Sequence, residues 1–252
     1  MESMSERALR EREQYNQGLK RQTYNSVLNH TSYFYDERRD SIIREQLQYA
    51  NERRVLEIGS QSWIKWIERN QIRPKALHCI NISEKELQKG SDVALETRVK
   101  PNFSLMNANE LEFPDESFDM VFGGSILHHL DFTRALDEIR RVLKPQGRIL
   151  FTEPLDNNPI GKIVRAFTPQ ARTEDEQPLR TKEFAELQDR FDTSYYYQQL
   201  LSVPLGLVSK SLFRRPDNAL MKWAYRADRF LDSKFPPLRK HYRRVIIAGV
   251  KR

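Results

Sequence analysis

The stretch Arg54-Val55-Leu56-Glu57-Ile58-Gly59-Ser60-Gln61-Ser62-Trp63 decides how the remainder of the chain is interpreted. Its first half is a short apolar run with β-branched residues, which predicts a strand that breaks at a glycine. A strand that ends in glycine and opens into a helix is where open α/β sheets bind nucleotide-like cofactors, because glycine lets the backbone approach a ligand closely. Only one glycine is present, whereas the usual glycine-rich loop contains two or three.

Beyond this junction the sequence alternates between predicted strands and predicted helices. This alternation predicts right-handed βαβ units and a mostly parallel sheet, with ligands at the carboxyl ends of the strands. The predicted strands cover residues 55–58, 76–82, 102–106, 118–122, 148–152, 191–197 and 242–250. The predicted helices cover residues 63–70, 84–100, 132–143, 181–190, 200–213 and 217–233, and a long loop rich in Asn, Pro and charge follows Pro154.

The first 50 residues are highly charged and predict helices. Ser5 suits a helix start, Gly18 and the cluster 29–32 predict breaks, and Asp40-Ser41 predicts the start of a helix over residues 42–50. The aromatic residues Tyr24, Tyr33, Phe34 and Tyr35 have two interpretations. They either pack the N-terminal helices onto the domain or form a lid over a ligand.

Composition limits the classes of protein to consider. A chain of 252 residues with an α/β pattern predicts one domain with a cap. Its net charge of +7 comes from 42 basic and 35 acidic residues that are mixed along the sequence, which fits a solvated surface as well as an anionic partner. Cys79 is the only cysteine and is expected to be a buried, inert thiol, so a disulfide and a zinc-finger framework are excluded.

The N-terminal sequence is polar and acidic, unlike a secretory signal, and no run of 18 apolar residues occurs. We therefore expect a cytoplasmic protein without stable membrane insertion. There is no basic stripe, zinc motif or aromatic strand signature, so nucleic-acid binding is not expected.

Four strings then occur in a characteristic order: VLEIG (55–59), INIS (80–83), FPDESFDMVFGGSILHHL (113–130) and EIRRVLKPQGRILFTEP (138–154). Together they resemble a class I S-adenosylmethionine-dependent methyltransferase of the small-molecule, type 11 kind. The resemblance covers residues from about 50 to 155. It implies a Rossmann-like, doubly wound α/β sheet of seven strands in the order 3-2-1-4-5-7-6. A helical lid over residues 1–50 would precede a methyltransferase domain over residues 51–252, with a helical cap over about 155–240.

The resemblance also implies S-adenosyl-L-methionine as cofactor, S-adenosyl-L-homocysteine as product and no metal. Departures from the family pattern occur in the glycine loop and at two positions where the family has acids and this chain has Asn81 and Asn107. An amide accepts and donates hydrogen bonds but lacks the carboxylate's charge. The implied cofactor-binding residues are Glu57, Gly59, Ser60, Gln61, Asn81, Ile82, Asn107, Ala108 and Gly123.

Methyl transfer from a sulfonium is an in-line displacement that needs alignment and a deprotonated nucleophile. A histidine near the end of the fourth strand could accept a hydroxyl proton at neutral pH. The implied catalytic residues are His129, its neighbour His128, and Glu153 after the fifth strand. The alternative for His129 is a structural role, capping the helix that follows.

These features favour O-methylation of a small natural product or sugar by a biosynthetic enzyme, monomeric or homodimeric. Arg165, Arg172 and Arg180 either face an anionic acceptor or lie on a solvated loop. The basic and aromatic sequence 221–225, which follows 213–215, either packs over the pocket or makes a peripheral membrane contact. Two alternatives remain open: methylation of an anionic or lipid-linked glycan at a membrane surface, and a non-catalytic methyltransferase-like binding protein.

Overall fold

The computed structural model describes residues 5–18, 22–59, 64–167, 173 and 175–252. Within these ranges the side chains at 22–27, 65 and 165 are not described.

A single seven-stranded sheet forms the centre of the molecule, in the order β3-β2-β1-β4-β5-β7-β6. The strand order is the one that the sequence predicted. Strands β1 to β5 run parallel to one another, and β7 runs antiparallel to both of its neighbours. The strands are β1 Arg54–Ile58, β2 Ala76–Asn81, β3 Asn102–Leu105, β4 Phe118–Gly124, β5 Leu143–Pro154, β6 Phe191–Gln198 and β7 Arg244–Lys251.

Helices cover both faces of this sheet and its carboxyl edge. They are α1 Glu6–Gln17, α2 Gln22–Leu47, α3 Ile64–Arg69, α4 Glu84–Leu95, α5 Phe132–Val142, α6 Pro159–Phe167, α7 Thr181–Arg190, α8 Ser202–Leu212 and α9 Ala219–Lys234. Short 3-10 turns occur at Gln48–Ala50, Leu127–His129 and Pro236–His241. In the described part of the chain, no helix has the length and apolar character needed to cross a membrane.

The central strand β1 is buried on both sides, which explains its continuous apolar sequence. Leu56 and Ile58 belong to the core beneath α5 and α7, whereas Val55 belongs to the core beneath α2, α3 and α4. Because successive side chains of a strand point to opposite faces, five residues of sequence connect both cores. The end of β1 at Gly59 is thereby held by both cores.

Helix α2 corrects one sequence prediction. The predicted break at residues 29–32 and the predicted helix start at Asp40-Ser41 are wrong, since α2 runs unbroken from Gln22 to Leu47. His30 Nδ1 hydrogen bonds with Ser209 Oγ of α8 at 2.9 Å, and Thr31 packs against Gly206 of the same helix. Polar residues that end helices elsewhere are here used for helix–helix contacts, so tertiary packing overrides the local tendency.

The aromatic residues of α2 pack this helix against α9. The Tyr35 hydroxyl is buried and donates to Asp228 Oδ2 at 2.5 Å, and Phe34 stacks on Tyr225 with ring centroids 6.3 Å apart. The packing interpretation therefore holds for these residues, while the side chain of Tyr24 lies outside the description.

Helix α6 lies within the stretch that the sequence predicted to be a loop. Asn158 precedes it, and its Oδ1 accepts from the Gly161 backbone N–H at 2.7 Å. Pro159 occupies the first helical position, where a missing N–H costs nothing. The Asn158 amide also donates to the carbonyl of His241 at 2.8 Å, which ties α6 to the end of the cap.

Two helical segments reach the carboxyl edge of the sheet. β6 runs parallel to β5, because both are antiparallel to β7, so β6 ends at the same edge as β1 to β5. Helices α8 and α9 lie between β6 and β7 in the chain and therefore leave the sheet at this edge. Helix α1 reaches the same edge from the N-terminus by packing on α4.

Candidate active site

A cavity of about 510 Å³ lies at the carboxyl ends of the parallel strands, beneath α1. We call the part built by the strand ends and their loops the floor, and the part built by α1 the roof. Six residues predicted from the sequence line it: Gly59, Asn81, Ile82, Asn107, Ala108 and His129. The roof contributes Ser5, Arg7, Ala8, Glu11 and Tyr15, and none of these was predicted to belong to the site.

Gly59 ends β1 at the floor. Its φ is +115°, and a Cβ added there would meet no atom within 4 Å, so glycine is required by the backbone conformation rather than by lack of space. Its N–H donates to the carbonyl of Ile80 at 2.9 Å, which holds the loop against β2. The predicted contacts of Ser60 and Gln61 lie outside the described residues.

Asn81 ends β2 and ties two loops together. Its Nδ2 donates to the carbonyl of Gly59 at 3.0 Å, and its Oδ1 accepts from the backbone N–H of Ser83 at 3.0 Å. A carboxylate at this position could not donate the first of these bonds. The amide at this position therefore adds a brace between the ends of β1 and β2, while the predicted contact of Asn81 with the cofactor stays a prediction.

The wall beyond β3 is built in the same way. Asn107 Oδ1 accepts from the backbone N–H of Asn109 at 3.1 Å, and Asn109 Oδ1 accepts from that of Asp131 at 3.0 Å. Asn109 was missed by the sequence reasoning, although an Asx turn after a strand is a recognisable signal. Apolar side chains complete this wall: Ile82, Met106, Ala108, Ile126 and Leu130.

Two predicted cofactor residues, Glu57 and Gly123, are not among the lining residues. Glu57 is fully buried and accepts from Cys79 Sγ at 3.4 Å. Cys79 is buried too, and burial raises the pKa of its thiol, as expected for an inert cysteine. A Cβ on Gly123 would lie 2.8 Å from the carbonyl oxygen of Ile58, so this glycine permits close packing of β4 against β1. Its neighbour Gly124 lines the cavity instead.

His129 joins the floor to the roof. Its Nε2 lies 2.9 Å from the Tyr15 hydroxyl, and its Nδ1 lies 3.3 Å from Glu11 Oε1 and 3.2 Å from Thr173 Oγ1. Thr173 in turn donates to Glu11 Oε1 at 2.6 Å. An ionised carboxylate can only accept, so Nδ1 carries the proton and Nε2 has its lone pair directed at Tyr15.

The surroundings of His129 favour the neutral imidazole. Burial lowers the pKa of His129 below 6.5, and the neighbouring His128 lowers it further. Glu11 and Glu176 oppose this shift, because both carboxylates stabilise the protonated ring. A neutral imidazole at physiological pH is the form that can accept a proton.

His128 makes a different set of contacts. Its Nδ1 lies 2.6 Å from Glu153 Oε2, and Glu153 Oε1 accepts from the backbone N–H groups of Ile126 and Leu127, each at 3.0 Å. Glu153 is fully buried, and burial raises the pKa of its carboxyl to about 7. Neither His128 nor Glu153 lines the cavity. Together they fix the 3-10 turn that carries His129.

Among the described residues, His128, His129 and Glu176 have one potential metal-ligand atom each within 4.8 Å of one another. His128 Nε2 lies 3.8 Å from Glu176 Oε1. Both nitrogens of His129 and the Nδ1 of His128 already hydrogen bond to protein groups. The donor set fits a hydrogen-bond network, and the expectation of no metal stays a prediction.

Helix α1 is held over the cavity from both ends. At its start Arg10 pairs with Asp175 at 2.8 Å, and the Arg7 guanidinium donates to the carbonyls of Asp175 and His128 at 3.0 and 3.4 Å. At its end Asn16 Oδ1 accepts from Ser83 Oγ at 2.5 Å. The local signal for this helix is the N-cap Ser5, whose side chain accepts from the N–H of Ala8. That signal predicts a helix but not its position.

The predicted arginine cluster is only partly described. Arg180 is exposed and pairs with Asp156 at 3.1 Å, so it does not line the cavity, whereas the side chains of Arg165 and Arg172 lie outside the described residues. An arginine that was not predicted lies closer to the site. Arg244, the first residue of β7, donates to the hydroxyl of Ser125 in the cavity wall at 3.1 Å.

Comparison with known proteins agrees with this geometry. Residues 56–151 match a family described as "Methyltransferase domain". A glycine/sarcosine/dimethylglycine N-methyltransferase of Actinopolyspora halophila is 32% identical over 94 residues, covering 34% of this chain and 17% of that protein. The 27-O-demethylrifamycin SV methyltransferase of Amycolatopsis mediterranei is 33% identical over 99 residues, covering 38% of this chain and 36% of that protein. This chain therefore spans well under two thirds of either relative.

Among solved structures, geranyl diphosphate C-methyltransferase from Streptomyces coelicolor superposes with a TM-score of 0.60 at 13% identity, covering 86% of this chain and 79% of that one. That structure contains Mg²⁺, geranyl diphosphate and S-adenosyl-L-homocysteine. At this identity the likeness shows the fold alone. Taken with the family match, residues 56–151 are similar to a class I, S-adenosylmethionine-dependent methyltransferase domain. The relatives methylate nitrogen, oxygen and carbon, so the similarity does not fix the acceptor.

Proposed function

We propose that the protein transfers the methyl group of S-adenosyl-L-methionine to a hydroxyl oxygen of a small molecule, a natural product or a sugar. The contact of His129 Nε2 with the Tyr15 hydroxyl at 2.9 Å inside the cavity carries this proposal. A hydroxyl is a poor nucleophile until its proton is removed, and a neutral imidazole is the side chain best suited to accept that proton near pH 7.

The floor fits the cofactor. A cavity of about 510 Å³ falls in the size range of small-molecule sites. Its apolar wall suits a heterocycle, and the amides of Asn81 and Asn107 suit hydroxyl and ring-nitrogen partners. When bound, the cofactor supplies an electrophilic methyl group. Gly59, Asn81, Ile82, Asn107 and Ala108 are the residues that would hold it.

The roof supplies the proton path. Tyr15 lines the cavity and donates its hydroxyl proton toward His129 Nε2. We assign Tyr15 the role of relay: its oxygen accepts the acceptor's hydroxyl proton as its own proton passes to His129. Glu11 then stabilises the imidazolium through Nδ1, and the deprotonated acceptor oxygen would be the nucleophile for the methyl group that a bound cofactor would supply.

Arg7 offers a further contact for a ligand. Its Nε is buried and has no hydrogen-bond partner within the described part of the chain, although its guanidinium nitrogen Nη2 donates to two carbonyls. A buried N–H without a partner is costly, so an acceptor atom of a ligand would stabilise it. An oxygen-rich or anionic group in the cavity meets this requirement.

Cofactor binding is tested by isothermal titration with S-adenosyl-L-homocysteine. We expect saturable heat from the unaltered chain. Asn81→Ala should have a dissociation constant about tenfold higher, because the variant loses cavity contacts and the brace to Gly59. Asn102→Ala is the matched control, since Asn102 is exposed at the opposite end of β3. No heat at millimolar ligand would overturn the enzyme proposal and favour a non-catalytic binding protein.

The acceptor class is tested with S-adenosylmethionine labelled in its methyl group. The chain is incubated with sugars and natural products that carry hydroxyls, each paired with its deoxy or amino analogue. Labelling that depends on one hydroxyl supports the proposal. If only the amino or deoxy analogues are labelled, the protein is still a methyltransferase but its acceptor atom is not oxygen.

A further inference from the structure

The cap carries a surface that combines positive charge with exposed apolar side chains. Between residues 208 and 240 there are nine basic and three acidic residues, so this segment carries +6 of the net charge of +7. The remainder of the chain is nearly balanced, with 33 basic and 32 acidic residues. The basic excess is thus a property of the cap and not of the whole surface.

The distribution of the acids strengthens this asymmetry. Asp228 is buried and accepts from the hydroxyl of Tyr35, and Asp232 pairs with Arg239 at 2.9 Å. Of the three acids only Asp217 is exposed. Eight of the basic residues in this segment are exposed: Lys210, Arg214, Arg215, Lys222, Arg226, Arg229, Lys234 and Lys240.

Exposed hydrophobic residues occupy the same segment. Six of the twelve exposed large hydrophobic side chains in the described part of the chain belong to it: Val208, Leu212, Phe213, Trp223, Phe230 and Phe235. Trp223 and Phe230 are each 57% exposed, which is unusual for such large side chains on a soluble surface.

Helix α9 separates these side chains into faces. Met221, Ala224 and Asp228 point into the protein. Seven exposed residues fall on the opposite half of the helix, at successive spacings of one and three, and extend over about 18 Å: Lys222, Trp223, Arg226, Arg229, Phe230, Ser233 and Lys234. All but Ser233 are basic or aromatic.

The surface continues beyond both ends of this helix. Phe213, Arg214 and Arg215 lie in the loop that leads into α9, and Phe235 follows it with its ring 6.3 Å from that of Phe230. We call the exposed residues from Leu212 to Phe235 the cap patch.

We propose that the cap patch docks the protein on an anionic lipid bilayer. A convex helix face with protruding aromatic and basic side chains fits the interface of a membrane, where apolar groups enter the acyl boundary and cations contact phosphate headgroups. Each Lys or Arg near an anionic surface contributes about 1 kcal/mol to binding. Nucleic acid would use the cations and aromatic rings but would leave Leu212 without a partner.

The cap patch lies on the segment that leaves the sheet at the edge where the cavity lies. Docking would therefore bring that edge toward the bilayer. The proposal does not depend on methyl transfer, because the cap patch shares no residue with the cavity.

Co-sedimentation of the full chain tests the proposal, with phosphatidylcholine vesicles that contain or lack phosphatidylglycerol. We expect binding to the anionic vesicles, weakened by salt, and little binding to the neutral ones. Lys222→Gln with Arg226→Gln should lower the partition coefficient about tenfold or more. Trp223→Ala with Phe230→Ala should lower it by a similar factor.

Matched controls lie elsewhere on the surface. Arg140→Gln with Lys182→Gln removes the same charge from exposed positions outside the cap patch, and Leu95→Ala removes a side chain that is 78% exposed on α4. Thermal melting confirms that every variant is folded. The proposal is overturned if the unaltered chain stays in the supernatant with anionic vesicles at low salt. It is equally overturned if control and cap-patch variants lose vesicle binding alike. A third overturning result is that the cap patch binds an acidic protein or RNA but not anionic vesicles.

Discussion

The floor and the roof of the cavity are built in opposite ways. The floor consists of short, sequence-local turns at strand ends, in which Gly59, Asn81 and Asn107 each bond to backbone within a few residues or to the adjacent strand. The roof consists of one helix, about 70 to 170 residues distant in sequence from its partners, held by charged side chains such as Arg10. The turns of the floor are recurring motifs, whereas the roof holds the residues on which the proposed chemistry of this chain depends.

Two adjacent histidines mark the boundary between these regions. His128 turns inward to Glu153, and His129 turns to Tyr15 and Glu11 under the roof. Their ring centroids are only 4.1 Å apart, yet the first fixes the turn and the second faces the cavity. The same residue type in consecutive positions therefore serves a structural and a proposed catalytic purpose, and variants can separate the two.

The largest effect is expected from His129→Ala. Removal of a general base typically lowers turnover by a factor of about 10² to 10⁴, and we expect at least a tenfold loss here. The dissociation constant for S-adenosyl-L-homocysteine should change by less than about twofold, because the floor is intact. Turnover is measured with the acceptor found by methyl labelling. An unaltered rate would show that His129 only caps the turn.

Glu153→Ala should act on stability instead. It leaves two backbone N–H groups and the His128 ring without their partner in a fully buried site, which should destabilise the fold by about 3 kcal/mol. Glu153→Gln keeps one acceptor oxygen and should recover part of this loss. Urea unfolding measures both free energies. If Glu153→Ala left stability unchanged and abolished turnover, Glu153 would belong to the reaction itself.

Glu11→Gln gives the smallest expected change, a loss of turnover of about threefold to tenfold together with a shift in pH dependence. In the unaltered chain the acid limb of kcat/KM should fall below pH 6.5, because burial and His128 lower the pKa of His129. Glu11 raises that pKa, so its removal should move the limb to still lower pH. The groups that face His129 are Glu11, Tyr15, His128 and Glu176.

Glu13→Gln is the matched control for this variant, since Glu13 is an exposed residue of the same helix. It should change neither turnover nor the pH profile. A shift toward higher pH in Glu11→Gln, or equal shifts in both variants, would contradict the roof's role in setting the protonation of His129.

Sequence reasoning succeeded where a residue's environment is set by its neighbours in the chain. Local signals predicted the strands, and the resemblance to a methyltransferase implied their order and named five floor residues that line the cavity: Gly59, Asn81, Ile82, Asn107 and Ala108. Their contacts with a cofactor stay predictions. The sequence-based prediction failed for α2, where His30 and Thr31 were predicted to break the helix but pack against α8. The competing contact is about 180 residues away, so no local pattern records it.

The sequence by itself predicted a mostly parallel α/β sheet and the edge at which a ligand is expected, and its resemblance to a methyltransferase implied the order of the strands. Apolar periodicity and glycine positions follow from local backbone geometry, which residues a few positions apart already specify. Only the tertiary structure decided which histidine faces the cavity and which charged helix covers it. Those outcomes depend on contacts such as Glu11 with His129 and Tyr15 with His129, between residues more than 110 positions apart. The junction after Ile58 fixes where the cofactor is expected, and the fold around it assembles the proposed chemistry.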